Sequence, residues 1–231
     1  MTDTSPILLW DVDGTLLRNG INAGDLYQQA IELTIGRVLE VDIPRVHGKT
    51  DGQIIWEALA SNGLDARLHT EASAHLDALS LARHLGGSRR EIAPGITRAL
   101  TDFAARGFTN GILTGNSEKR TRYKLEGAAL DVDLFDWQHS YFGDVAPLRS
   151  EITVLAAKEL TGRIAVIIGD TPADGVGAAA AGFDFVAVAT GFFGAEELRK
   201  TNAVLVVDDV HSGYDDVLHY LLARAELSLT F

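Results

Sequence analysis

The chain has 231 residues, 46% of them hydrophobic and 23% charged. That is enough apolar content to bury one large α/β core, or a core with an insert, and too much for wholesale disorder. Its 32 acidic and 20 basic residues leave a formal charge of −12, which argues against a nucleic-acid scaffold or a binder of anionic membranes but not against a small anionic substrate at a locally positive site. There is no cysteine, so disulfides, thiolate ligands and thiol nucleophiles are ruled out, in keeping with a reducing compartment. The amino terminus MTDTSPILLW lacks the basic start and long apolar core of a secretory signal, and no run approaches the roughly 18 apolar residues of a membrane span. The expectation is a soluble cytoplasmic protein.

In chain order, Ile7 to Trp10 is a short apolar run ending at Asp and Gly, the pattern of a buried strand. From about 17 to about 92 the pattern is helical only, over Leu26 to Leu39, Gly52 to Ala60 and Ala66 to Leu85. Beyond it, apolar runs at Phe108 to Leu113, Ile164 to Ile168, Phe183 to Val188 and Val204 to Val207 alternate with helical patterns. Those helices cover Gly95 to Arg106, Ser117 to Leu130, Ser150 to Leu160, Ala173 to Ala181 and Tyr214 to Ala225. Wholly apolar strands suit a parallel sheet covered on both faces, so the spacing predicts an α/β, Rossmann-like parallel sheet core with an inserted small helical cap. The core takes residues 1–17 and 93–231 and the cap takes 18–92. Arg18 to Gly24 is the expected hinge, with Gly20 and Gly24 able to absorb rotation.

In such folds ligands gather at the carboxyl ends of the strands. Three strand ends here carry oxygen-rich side chains. Asp11 and Asp13, in Asp11-Val12-Asp13-Gly14-Thr15, point the same way from extended chain, and like charges so close need a cation or a proton between them. A bare Asp-x-Asp also suits an acidic loop that caps a helix. Thr114, Gly115 and Asn116 offer a hydroxyl, a close backbone and an amide for phosphate oxygens, and are equally ordinary turn residues. Asp170 and Asp174, in Gly169-Asp170-Thr171-Pro172-Ala173-Asp174, open a helix, where an Asp can be only a cap. Carboxylates from two neighbouring strand ends make an oxygen site that suits Mg²⁺.

The ordered set DVDGT, LTGN, a basic residue and GDTPAD resembles the haloacid dehalogenase superfamily of phosphatases and phosphotransferases. It is most similar to the phosphoglycolate phosphatase and β-phosphoglucomutase branch. The resemblance covers essentially the whole chain and implies a role for each matching residue. Asp11 is the nucleophile and a metal ligand. Asp13 is the general acid/base and binds the metal through its carbonyl. Thr114 is the phosphate-binding hydroxyl, with Gly115 and Asn116 beside it. Asp170 and Asp174 ligate or orient a Mg²⁺ ion. The basic residue is Arg149, where the family usually has Lys; Lys158 is the alternative, inside a helical run. Dehalogenases and phosphonatases lack the second Asp of the first motif, so Asp13 implies cleavage of a phosphate ester.

Gly48-Lys49-Thr50-Asp51 resembles the specificity loop of the branch, with Lys49 and Thr50 reaching the substrate; a Gly turn followed by a helix cap is the competing reading. The mutase branch carries a cap His soon after its first motif, and none lies between Asp13 and Asp42. The resemblance thus implies a Mg²⁺-dependent phosphatase acting on a small phosphorylated metabolite, phosphoglycolate or a sugar phosphate, through an aspartyl-phosphate. The alternative is a β-phosphoglucomutase-like isomerase. Neither nucleic acid nor membrane is an expected partner, and the oligomeric state is open. His47 lies beside the cap loop, whereas His69, His75 and His84 read as cap surface. Trp10 reads as core beneath the site, and Trp56 and Trp137 as packing. Asp131, Asp133 and Asp136 read as a solvated loop, and Phe192 and Phe193 as either rim or packing.

Overall fold

Short, largely buried runs of three to five residues pair side by side because each strand's unpaired backbone groups need partners that apolar surroundings cannot supply. In the computed structural model, which describes residues 5–19, 25–41, 43, 47–144 and 148–228, they form one sheet. Its strands are β1 (Ile7–Trp10), β2 (Thr109–Ile112), β3 (Ala165–Gly169), β4 (Asp184–Val188) and β5 (Leu205–Val207), in the order β2-β1-β3-β4-β5. Every pairing is parallel. Trp10 is level with Ile112 on one side and Ile168 on the other. The chain therefore leaves β1 to one side and later returns to the other, which makes the β1/β3 boundary the topological switch where a crevice opens.

Both sheet faces are covered, which is why β1 and β3 carry no polar side chains and do not alternate; β2 (Thr109-Asn110-Gly111-Ile112) departs from this, its Asn110 buried and hydrogen-bonded to Trp10. Leu8, Trp10, Val166, Ile168 and Val186 pack with α4 (Ile96–Ala105) and α9 (Tyr214–Ser228). Ile7, Leu9, Ile167 and Phe185 pack with α6 (Arg149–Glu159) and α7 (Pro172–Ala181). Trp10 is fully buried beneath the site and donates from Nε1 to Asn110 Oδ1 at 3.0 Å. Trp137 is packed as expected, donating to the Val132 carbonyl and stacked on Phe142. Trp56 is not: it is 52% exposed, tilted against His69.

Helices α1 (Asp25–Ile35), α2 (Asp51–Ser61) and α3 (His69–Leu85) form a layer with its own apolar cluster, in which Ile31, Ile54, Ile55 and Leu76 are the buried centre. The two chain crossings between this layer and the sheet run antiparallel beside each other, with Arg18 N donating to the Glu91 carbonyl and Ala93 N to that of Leu16. Gly20 and Gly24 of the expected hinge lie outside the described residues.

The helices differ from the sequence pattern mainly at their ends. The first stops at Ile35, not Leu39, because Gly36 turns left-handed at φ 68° and terminates it. Helix α5 (Glu118–Gly127) stops short of Leu130 because Ala129 takes φ 54°. The acidic run is not simply solvated loop: Asp131 and Asp136 cap two single 3₁₀ turns, Val132–Leu134 and Trp137–His139. The short helix α8 (Ala195–Leu198) has no periodic signal of its own. Among the described residues no helix is long and apolar enough to cross a membrane.

Phe103 is fully buried and stacks on both Trp10 and Tyr214. Phe103→Ala is expected to destabilise the fold by about 3–5 kcal/mol, measured by urea unfolding; a loss below about 1 kcal/mol would mean that the cluster collapses into the space.

Candidate active site

The sheet delivers three carboxylates to one point. Asp11 follows β1 and its N–H is fixed to the Ile168 carbonyl at 2.9 Å, so it stands beside the end of β3, where Asp170 emerges. Asp174 lies one helical turn further on, in the first turn of α7. Oxygens of Asp11, Asp170 and Asp174 all lie within 4.8 Å of one another, and all three residues are buried. The turn after β1 is forced by this crowding. Gly14 takes φ 91°, and any Cβ there would run into the Asp170 carboxylate. Thr15 Oγ1 donates to Asp170 Oδ1 at 3.3 Å.

Arg149, the first residue of α6, enters this acidic cluster from the far side. Its Nη2 donates to Asp11 Oδ1 at 2.8 Å and to the Leu113 carbonyl at 3.0 Å, and pairs with Asp174. Its Nε is buried without a partner among the described residues. Lys158, the alternative, is exposed further along α6. Asp174 is well occupied, since its other oxygen accepts from the Thr171 N–H at 2.9 Å and hydroxyl at 2.8 Å in a capping box.

One guanidinium does not balance three carboxylates. Burial, the largest effect, raises the Asp11 carboxyl to about 6, against the pull of Arg149 and with the push of Asp174. Asp170 is raised well above its ordinary range by burial and by its two acidic neighbours. Hard oxygen donors at this spacing, with unbalanced negative charge, fit a divalent cation such as Mg²⁺.

Asp13 stands apart from this trio. Its Oδ1 accepts from Arg90 Nη2 at 2.7 Å, and its Oδ2 from Asn116 Nδ2 at 2.8 Å and from Lys124 Nζ. Burial would raise this carboxyl, but Lys124 and Arg90 outweigh it and hold the group well below the ordinary carboxylate range. Lys124 in turn is lowered to about 8, by burial first and by the nearby Arg120 and Arg90, against the pull of Asp13. Asn116 joins the two groups of residues, since its Nδ2 also reaches Thr114 Oγ1 at 3.0 Å. Thr114 itself is fully buried.

The helical layer closes over these groups. Asp51 N donates to the Gly115 carbonyl at 2.7 Å, and a Cβ on Gly115 would lie 2.9 Å from Thr50 Cα. Arg120 pairs with Asp51, Tyr27 Oη donates to Asp51 at 2.7 Å, and the Ser117 N–H donates to Asp51 at 2.9 Å. Beneath lies a cleft of about 350 Å³ lined from both layers. Lys49 lines it, its ammonium paired with Glu57. Thr50 is turned away: it is fully buried, and its hydroxyl accepts from the Gln53 N–H at 2.9 Å as the cap of α2. His84 is not simple surface but lines the cleft, as does His47, which stacks on the exposed rim residue Phe192 at 4.5 Å.

Four residues that the motifs do not mark are therefore central: Arg90, Lys124, Arg120 and Tyr27. Ser117, Arg120 and Lys124 share one helical face at spacings of three and four, a signal visible in sequence. Nothing local marks Arg90.

Residues 149–212 match the family described as HAD-hydrolase-like. The chain is 30% identical over 218 residues to the phosphoglycolate phosphatase of Rhodospirillum rubrum, covering 89% of this chain and 88% of that protein. Among solved structures it resembles a hydrolase from Pseudomonas syringae (TM-score 0.68, 17% identity, 93% of this chain and 98% of that one). It also resembles CbbY from Rhodobacter sphaeroides in complex with phosphate (TM-score 0.66, 19% identity, 90% and 96%).

An acid raised to about 6 makes the folded state bind more protons than the unfolded one between roughly pH 4 and 6, so Asp11 costs stability as pH rises through that window. Asp11→Asn is expected to raise the melting temperature of the metal-free protein at neutral pH, with the advantage shrinking toward pH 4. Equal melting temperatures at neutral pH would show that Arg149 already offsets the charge in full.

Proposed function

The chain belongs to the haloacid dehalogenase-like hydrolases and is a phosphatase; from that footing we propose that it hydrolyses a small phosphomonoester with Mg²⁺, through a phosphoryl group carried on Asp11. The observation that carries this reading is the meeting of Asp11, Asp170 and Asp174 with Arg149 at the ends of two adjacent strands. Asp11, the Asp13 carbonyl and Asp170 would hold the ion, with Asp174 orienting or completing the set. When bound, Mg²⁺ supplies positive charge that offsets the repulsion between a carboxylate nucleophile and a phosphate ester.

In the proposed reaction, Asp11 attacks phosphorus in line, forming an acyl phosphate as the ester P–O bond breaks. Thr114, the backbone beside Gly115 and Asn116, and Arg149 hold the remaining phosphoryl oxygens. A buried N–H without a partner among the described residues, such as Arg149 Nε, costs about 1–3 kcal/mol, so a phosphoryl oxygen drawn against it gains what those residues leave unmade. Asp13, once released from Arg90 and Lys124 and protonated from solvent, gives that proton to the departing alkoxide and then takes one back from the water that hydrolyses the acyl phosphate, help worth about 10²–10⁴-fold. The substrate proposed is phosphoglycolate, the molecule named in the R. rubrum relative, or a sugar phosphate. Residues 18–92 act as a cap with Lys49 facing the substrate. The absence of a His between Asp13 and Asp42 supports hydrolysis over the mutase alternative.

Phosphate release from 2-phosphoglycolate is expected to require Mg²⁺, to stop with EDTA, and to fall by at least about 10³-fold in Asp11→Asn. Turnover by Asp11→Asn within about tenfold of the parent would remove the nucleophile role. Conversion of β-glucose 1-phosphate to the 6-phosphate, with no inorganic phosphate, would replace hydrolysis by isomerisation.

A further inference from the structure

The cations lining the cleft are not equally committed. Arg149 and Arg120 are locked in buried pairs, with side chains only 7% and 4% exposed, and Lys49 has its own partner in Glu57. Arg90 and Lys124 are different: they share a single carboxylate, that of Asp13. The three side chains are 21%, 16% and 32% exposed, so the group is open enough to exchange partners without the full desolvation cost of a buried pair. It has two positive charges for one negative, and Asn116 joins it to the phosphate-side hydroxyl of Thr114.

We propose that Arg90 and Lys124 form the receptor for a second anionic group on the substrate, a carboxylate or a second phosphate within a few bonds of the ester, and that Asp13 occupies this receptor until the substrate displaces it. The inference rests on the phosphatase reading and adds to it the residues that select the substrate. One anion replaces another between the same two cations, so the exchange conserves charge in the clamp. It also frees Asp13 from its three donors, so that the carboxylate takes up a proton from solvent and turns toward the leaving oxygen. A phosphate ester without a second anionic group leaves Asp13 held where it is, so the two cations bring selectivity into the proton-transfer step and not into affinity alone. The second anionic group is held by the core helix α5 and the second chain crossing, while Lys49 of the Gly48–Asp51 loop keeps its own partner, Glu57. A single side chain, Asn116, spans Thr114 and Asp13, which fits a short spacer between the two anionic groups better than a long chain.

The test compares 2-phosphoglycolate with 2-hydroxyethyl phosphate, which keeps the ester and replaces the carboxylate by a neutral group. The wild-type protein with Mg²⁺ is expected to favour the carboxylate by at least about 100-fold in kcat/KM. Lys124→Met and Arg90→Met should each reduce that ratio by about tenfold or more, whereas Lys124→Arg retains most of it. A merely structural role for either cation lowers both substrates together and leaves the ratio unchanged, and thermal melts show whether each variant is folded. Equal kcat/KM for the two substrates in the wild-type protein overturns the proposal without help from any variant, and leaves the phosphatase reading intact. An unchanged ratio in both methionine variants overturns it as well. Failure of the wild-type protein to release phosphate from either substrate or from p-nitrophenyl phosphate would instead remove the phosphatase reading, and this inference with it.

Discussion

Three carboxylates and one guanidinium confined at the end of two adjacent strands set the terms for the rest of the molecule. The backbone bonds of a parallel sheet fix where Asp11 and Asp170 emerge, and neither side chain can retreat into water from its buried position. The repulsion is therefore a property of the fold, not of a side-chain conformation. Its relief has to come from something positive: in part from Arg149, which bridges Asp11 and Asp174, and for the remainder from a cation. Local choices follow from the same crowding. Gly14 leaves room for the Asp170 carboxylate, and Gly169 for that of Asp174.

A second charge pair has a different role. Asp51 and Arg120 meet in the interface between the helical layer and the sheet, with Tyr27 and the Ser117 backbone completing the hydrogen bonds. Arg120 also reaches Ser80 of α3, and Ser117 reaches Asp77. Side chains from all three helices of the layer thus converge on the start of α5. Buried pairs of this kind add little net stability against an apolar alternative, yet breaking one leaves an uncompensated charge at a cost of about 3–5 kcal/mol. What the pair supplies is a single seating for the layer over the cleft.

Much of this architecture is legible in the amino-acid sequence alone. β1, β3 and β5 carry no polar side chains and β4 only Asp184, because a sheet buried on both faces needs no polar alternation and so reads as nearly continuous apolar sequence; β2, Thr109-Asn110-Gly111-Ile112, is legible only through the Phe108 and Leu113 that flank it. The carboxylates at Asp11, Asp170 and Asp174 are marked by their place after such runs. Helix ends are less legible, since Gly36 and Ala129 terminate helices through backbone dihedrals that hydrophobic periodicity does not encode. Thr50 shows the other limit. A residue in a loop beside a site can serve the helix it precedes, and only the direction of its hydroxyl decides. Arg90, 77 residues from its partner Asp13, belongs to a class that no local pattern reveals: a surface-like sequence position brought to the site solely by the return of the chain from the helical layer.

The contact between the Lys49–Thr50 backbone and Gly115 is made by main chain alone, and Gly115 itself meets Gly143 just as closely. A main-chain contact of this kind leaves mutation little to edit beyond the glycines themselves and the neighbouring Asp51–Arg120 pair. The groups that face the cavity from the helical layer, among them Lys49, Arg83 and His84, contribute side chains where that contact uses main chain. Selection can therefore retool what the enclosure accepts while the way it shuts stays the same, so that one architecture diversifies through its lining.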